Sequence, residues 1–102
     1  MYKIIVSELA HNDLDNIVAY IALQLANPTA ATNFLDEVGK CYNYLQSNSY
    51  MHERCHDIRL EKEGYRKAAI KNYVLVYKVD EETKTVIIHR IFYGAQEYVK
   101  MI

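Results

Sequence analysis

The chain has 102 residues, 51% apolar and 25% charged, with one Pro, three Gly and a formal net charge of −1. This length predicts a single domain over residues 1–102 with one core that needs no staples, and the composition excludes a disordered chain or a flexible linker. No apolar run approaches the ~18 residues of a membrane span, the opening MYKIIVSELAHND is not a signal sequence, and two cysteines make no disulfide framework, so a cytoplasmic protein with no membrane partner is expected.

Residues 2–6 (YKIIV) are a β-type run, and Ser7 is placed to cap a helix. Ala10, Leu14, Ile17, Val18, Ile21 and Leu25 then step by three or four, the period of an amphipathic helix ending near Ala26, with Asp13 and Asp15 off the apolar stripe. Asn27–Pro28 opens a second helix, Asn as cap and Pro at the first helical position, with a stripe of Ala31, Phe34, Leu35, Val38, Cys41, Tyr42 and Leu45. The short connection makes the pair an antiparallel hairpin. Residues 46–56 (QSNSYMHERCH) are polar and aperiodic and read as a loop.

Four short β-type runs follow: Ile58–Leu60, Tyr65–Ile70, Tyr73–Val79 and Thr85–Tyr93, with Asp80–Lys84 as a hairpin loop. Strict alternation puts Tyr73, Leu75, Tyr77 and Val79 on one face. It likewise groups Val86, Ile88, Arg90 and Phe92 against Ile87, His89, Ile91 and Tyr93. The element order predicts an α+β fold: an N-terminal strand and a two-helix hairpin packed on one face of a small, mainly antiparallel sheet, the other face partly open.

Cys41, His52, Cys55 and His56 match no structural-zinc spacing, and Cys41 lies on an apolar stripe, so no metal is expected. The motifs of hydrolases, kinases and dehydrogenases are absent, and no cofactor is expected. Charge is uneven. Residues 1–55 hold three Lys/Arg against six Asp/Glu, residues 56–102 nine against seven, an excess too small for a protein whose main ligand is nucleic acid. The basic set Arg59, Arg66, Lys67, Lys71 and Arg90, with His89, Tyr65, Tyr73 and Tyr93, comes from adjacent strands. Three readings stay open: cations decorating a sheet face, a docking surface for an acidic or extended segment, or the acid, base and cation of metal-free RNA cleavage.

The segments YKIIVSELAHNDLDNIVAYI (with Ser7, Ala10, Asp13, Leu14, Ile17 and Tyr20), ANPTAATNFLDEV, YRKAAIKNYVLVYKVD and VIIHRIFYG together resemble the RelE/ParE superfamily, the toxins of bacterial type II toxin–antitoxin modules. The resemblance covers nearly the whole chain and implies a growth inhibitor, of the kind that stabilises plasmids, neutralised by a small antitoxin in a hetero-oligomer. RelE-like members cleave mRNA on the ribosome; for that reading the implied catalytic residues are Arg66, Lys71, His89 and Tyr93. ParE-like members bind and poison DNA gyrase; for binding to target or antitoxin the implied residues are Arg59, Arg66, Lys67, Arg90 and Tyr93. Val74 after Tyr73 and Ala95–Gln96 after Gly94 stand where RelE-like toxins carry arginines, while Arg66 and Arg90-Ile91-x-Tyr93-Gly94 look ParE-like, so the ParE-like branch is favoured. A non-toxic antitoxin-binding remnant is the remaining alternative. Charge reversal at Arg66 or Arg90 is expected to reduce toxicity more than stability.

Overall fold

A computed structural model describes residues 1–49 and 62–94. Strand β1 (Lys3–Val6) stops at Ser7, whose extended backbone and side-chain oxygen, accepting the Ala10 N–H at 3.0 Å, start helix α1 (Glu8–Ala19). The cap satisfies one of the N–H groups that a helix start leaves without partners. Helix α2 (Pro28–Ser47) begins as its sequence predicts, with Asn27 Oδ1 accepting the Ala30 N–H at 3.1 Å.

Between the helices the expected stripe breaks. After Ala19 the chain makes one π-helical turn, Tyr20–Gln24, closed by the Leu25 N–H donating to the Tyr20 carbonyl at 3.1 Å, and Ala26 is left-handed at φ 49°. The wider turn takes Leu25 off the apolar face, so it is exposed instead of joining the core. Leu35 is likewise more exposed than its place on the α2 stripe predicts.

Strands β2 (Tyr65–Ile70), β3 (Tyr73–Asp80) and β4 (Thr85–Tyr93) complete a sheet of order β1-β4-β3-β2. β1 runs parallel to β4 and the other neighbours are antiparallel. This is the α+β arrangement expected from the element order. Ala10, Ile21, Ala31, Phe34, Val38 and Leu45 from the helical layer pack on Ala68, Ile70, Leu75, Tyr77, Val86, Ile88 and Ile91 of the sheet. Each large member contributes about 1.5–3 kcal/mol by leaving water. Within this core the Tyr77 hydroxyl donates to the Ser49 carbonyl at 2.8 Å, tying the chain that leaves α2 to a central strand.

β3 alternates as expected, but β4 does not. Tyr77 pairs with Ile88 while Val76 pairs with Arg90, so His89 is the extra residue of a β-bulge. The bulge reverses the alternation. Ile91 joins Val86 and Ile88 beneath the helices, and Arg90 and Phe92 turn to the opposite face beside Val76 and Val74. Val76 and Phe92 are buried there, so that face is less open than predicted. The run Ile58–Leu60 and most of the expected 46–56 loop lie outside the described residues; of that loop, Gln46 and Ser47 continue α2.

Along its outer edge β4 is covered first by β1, through the pair Val6–Ile88 and the Ser7 N–H donated to the Ile88 carbonyl at 2.9 Å. Where β1 ends, α1 takes over. The Ser7 hydroxyl donates to the His89 carbonyl at 2.7 Å, and Asp13 accepts the Ile91 N–H at 3.0 Å. A helix thus serves the edge groups that a strand would otherwise satisfy.

Candidate functional site

The strand register divides the basic residues. Lys67 lies opposite Val76, itself opposite Arg90, and Tyr65 lies opposite Lys78, which pairs with Ile87. These share the face away from the helices with His89, and it is the bulge that puts Arg90 there. Lys67 and Arg90, two strands apart in one row, are roughly 10 Å from each other. The Tyr65 and His89 rings stack tilted with centroids 5.1 Å apart, and Lys78 Nζ sits 5.3 Å from the Tyr65 ring centre. Burial first, then the Arg90 and Lys78 charges, lower the His89 pKa below the ordinary histidine value, against the opposing pull of Glu63 and Asp13.

The other predicted residues are elsewhere. Arg66 lies opposite the core residue Tyr77, hence on the helix-facing side of β2, the outermost strand among the described residues. Lys71 is exposed in the β2–β3 turn with a left-handed backbone at φ 53°. Tyr93 pairs with Tyr73 at the end of β4. Arg59 lies outside the described residues, as do His52, Cys55 and His56. Lys67, His89 and Arg90 are therefore brought to one face, while Arg66, Lys71 and Tyr93 are not. Among the described residues no cluster of His, Cys, Asp or Glu is suited to a metal, and burial pushes the Cys41 thiol up to about 11, keeping it a protonated, unreactive group.

Arg90 is engaged within the fold. Its Nε donates to Asp13 Oδ2 at 2.7 Å and its Nη2 to Asp13 Oδ1 at 2.9 Å, a bidentate ion pair whose side chains are 15% and 14% exposed. The guanidinium also lies 4.6 Å from the Phe92 ring centre. Asp13 thus binds a β4 side chain and a β4 main-chain N–H at once. The sequence reading missed this residue by treating it as outside the stripe. Its position three residues after Ala10 and four before Ile17, on the stripe's border, was the available signal.

Beyond Asp13 a groove of about 720 Å³ opens between α1, the π turn and the ends of β3 and β4. Tyr20, Leu25, Tyr73 and Tyr93 line it, with Asp13, Asn16 and Asn72 at polar points. Tyr73 packs on Phe34 at 4.9 Å and meets Tyr93 edge-on at 5.6 Å. Burial, together with the neighbouring Tyr20 and Tyr93 phenols, raises the Tyr73 pKa, so its hydroxyl stays protonated. Tyr20 and Asn16 were not among the predicted site residues, because the π turn that shapes this region has no periodic signature.

Residues 4–98 match the family described as the ParE toxin of the type II toxin–antitoxin system, parDE. The chain belongs to the ParE toxin family. It is a type II toxin of the RelE/ParE superfamily, and the ParE branch favoured from sequence is the branch that matches. No curated protein matches the chain. Among solved structures, the chromosomal ParDE system of P. aeruginosa superposes with a TM-score of 0.70 at 21% identity, over 91% of this chain and 96% of that one. The RelBE2 toxin–antitoxin complex of Mycobacterium tuberculosis gives 0.64 at 19% identity, over 90% and 96%. The archaeal RelE–RelB complex of Pyrococcus horikoshii gives 0.53 at 12%, over 93% and 97%. At these identities the likeness concerns the fold, which in a ParE toxin is the one described above. No helix among the described residues is long and apolar enough to cross a membrane.

Proposed function

We propose that this ParE-family toxin acts in the cytoplasm by binding rather than by chemistry, with DNA gyrase as its target, and that a small cognate antitoxin neutralises it in a hetero-oligomer. The observation that carries this reading is the separation of the four residues implied for RNA cleavage. Arg90, implied for binding and held bidentately by Asp13, adds no cation to them. Arg66, Lys71 and Tyr93 stand apart from His89, so those four make no acid–base–cation set. Lys67, with Arg66 on the reverse of the same strand, supports a docking surface. The partner is supported by the solved neighbours that are toxin–antitoxin complexes.

One observation favours ribosome-dependent mRNA cleavage as a second reading: the imidazole of His89 beside the Tyr65 phenol and the Lys78 ammonium. A short induced pulse of the toxin in a bacterium lacking the antitoxin separates the two, with DNA and protein synthesis followed side by side. DNA synthesis failing first, with a DNA-damage response, is the expected result. Protein synthesis collapsing first, and surviving when His89→Gln is expressed instead, overturns it in favour of the ribonuclease. No effect on either from a soluble protein identifies a non-toxic antitoxin-binding partner.

A further inference from the structure

We infer that the groove between α1, the π turn and the end of β4 is the seat of an uncharged aromatic or branched aliphatic side chain of the antitoxin. The inference rests on the antitoxin partnership proposed above and adds where and by what chemistry that partner is anchored.

Three large apolar side chains converge there while remaining accessible: Tyr20 at 52%, Leu25 at 56% and Tyr93 at 47%. Single exposed apolar residues need no explanation, but three around one concavity mark a contact surface. The π turn is a second, independent observation. Such turns are rare and concentrate at functional sites. Here its closing hydrogen bond joins Tyr20 to Leu25, and both residues line the groove. A regular α-helical turn would instead continue the buried stripe through Leu25.

Charge selects the occupant. Among the described residues no Lys, Arg or His lines the groove, so a phosphate or a carboxylate finds no counter-charge from them. The one acid that lines it among the described residues, Asp13, already binds Arg90 and the Ile91 N–H, so a cation gains little. What remains is an apolar space with aromatic walls, ringed by phenols and the Asn16 amide that can hydrogen-bond a partner's main chain. Its 720 Å³ lies within the span of about 300–1,000 Å³ usual for compact ligands, ample for one large side chain and its backbone. An unpaired nucleobase is the competing occupant by shape, but its phosphates would find no cation among the described lining residues.

Two measurements test the inference. In amide NMR spectra of the isotope-labelled toxin, N-acetyl-tryptophanamide is expected to shift Tyr20, Leu25 and Tyr93, and uridine 5′-monophosphate is not. The shifts disappear in Leu25→Asp and persist in Leu23→Asp, a control at a 76% exposed position that does not line the groove. With the cognate antitoxin co-expressed, Leu25→Asp is expected to raise the dissociation constant about 30-fold and Leu23→Asp less than threefold. Equal melting temperatures for both variants exclude loss of fold as the cause. Antitoxin binding to Leu25→Asp with unaltered affinity, or the same shifts from the nucleotide, overturns the groove inference alone. An antitoxin that fails to bind the unaltered toxin overturns the partnership itself, and the inference with it.

Discussion

Replacing Asp13 by Ala removes the acceptor of three hydrogen bonds: two from the Arg90 guanidinium and one from the Ile91 N–H. Hydrogen bonds to charged groups are each worth about 1.5–3 kcal/mol, but three to one carboxylate are not additive. Removing one partner of a fully buried ion pair costs about 3–5 kcal/mol, and this pair keeps some solvent contact, with 14% and 15% exposure. About 3 kcal/mol is the resulting expectation. A domain of this size loses about 4–8 °C in melting temperature per kcal/mol, so Asp13→Ala should melt about 12–24 °C below the unaltered protein. Circular dichroism gives the melting curves, and a double-mutant cycle with Arg90→Met isolates the pair. Met keeps the side chain over Phe92 and leaves no buried cation. The cycle should return a coupling of about 1.5–3 kcal/mol. A fall of less than ~4 °C for Asp13→Ala, or a coupling near zero, would refute the reasoning and return Arg90 to the set available for a target. The expectation that charge reversal harms toxicity more than stability accordingly passes to Arg66; Arg90→Glu should lose both together.

Tyr77→Phe deletes a hydroxyl that donates to the Ser49 carbonyl inside the core and leaves that carbonyl unpaired. It should lower the unfolding free energy by about 1–3 kcal/mol in urea titrations, and an unchanged midpoint would show that water replaces the bond. His89 has a folded pKa below its unfolded value, because burial and the Arg90 and Lys78 charges disfavour the imidazolium. The unfolded chain then binds more protons, so His89 contributes stability that is present above the unfolded value of about 6.5 and lost as pH falls toward the folded one. Melting temperatures from pH 7 to 5 should fall more steeply for the unaltered protein than for His89→Gln, and parallel profiles would remove His89 from the account.

What the sequence made legible was what repeats with a period or carries a capping residue. Ser7, Asn27 and Pro28 marked both helix starts, and the alternation of Tyr73, Leu75, Tyr77 and Val79 gave the buried face of β3. What it hid were two one-residue irregularities. The bulge at His89 moved Arg90 and Phe92 across the sheet, and the π turn moved Leu25 out of the core. Neither contains a Gly or Pro to announce it, and both are decided by tertiary contacts that local propensity does not encode. The candidate site suffered most because it lies on these irregularities. Origin on adjacent strands joined Arg66, His89 and Tyr93 in one set, whereas the register puts His89 on the face away from the helices and the other two off it. The tyrosine groove, built from residues about 50–75 positions apart in sequence, had no local pattern to betray it.

Clasp and groove have one geometric origin. Ser7, Ala10, Asp13, Ile17 and Tyr20 recur at helical spacing and face β4: Ser7 meets the His89 carbonyl, Asp13 the Ile91 N–H, and Tyr20 the groove shared with Tyr93. Helix and strand therefore run in the same sense, but not at the same rate. From Ser7 to Tyr20 the helix advances about 20 Å, whereas from His89 to Tyr93 the strand advances about 13 Å. The helix overruns the strand by about 7 Å, and the space between them past Asp13 is the groove. The π turn closes the overrun by turning the chain back toward α2 while leaving Tyr20 and Leu25 on its rim. Asp13 is the last tether before the two part. Loosening it should widen the groove as well as lower stability, so Asp13→Asn should weaken binding of N-acetyl-tryptophanamide in an NMR titration, and an unaltered affinity would separate the tether from the groove.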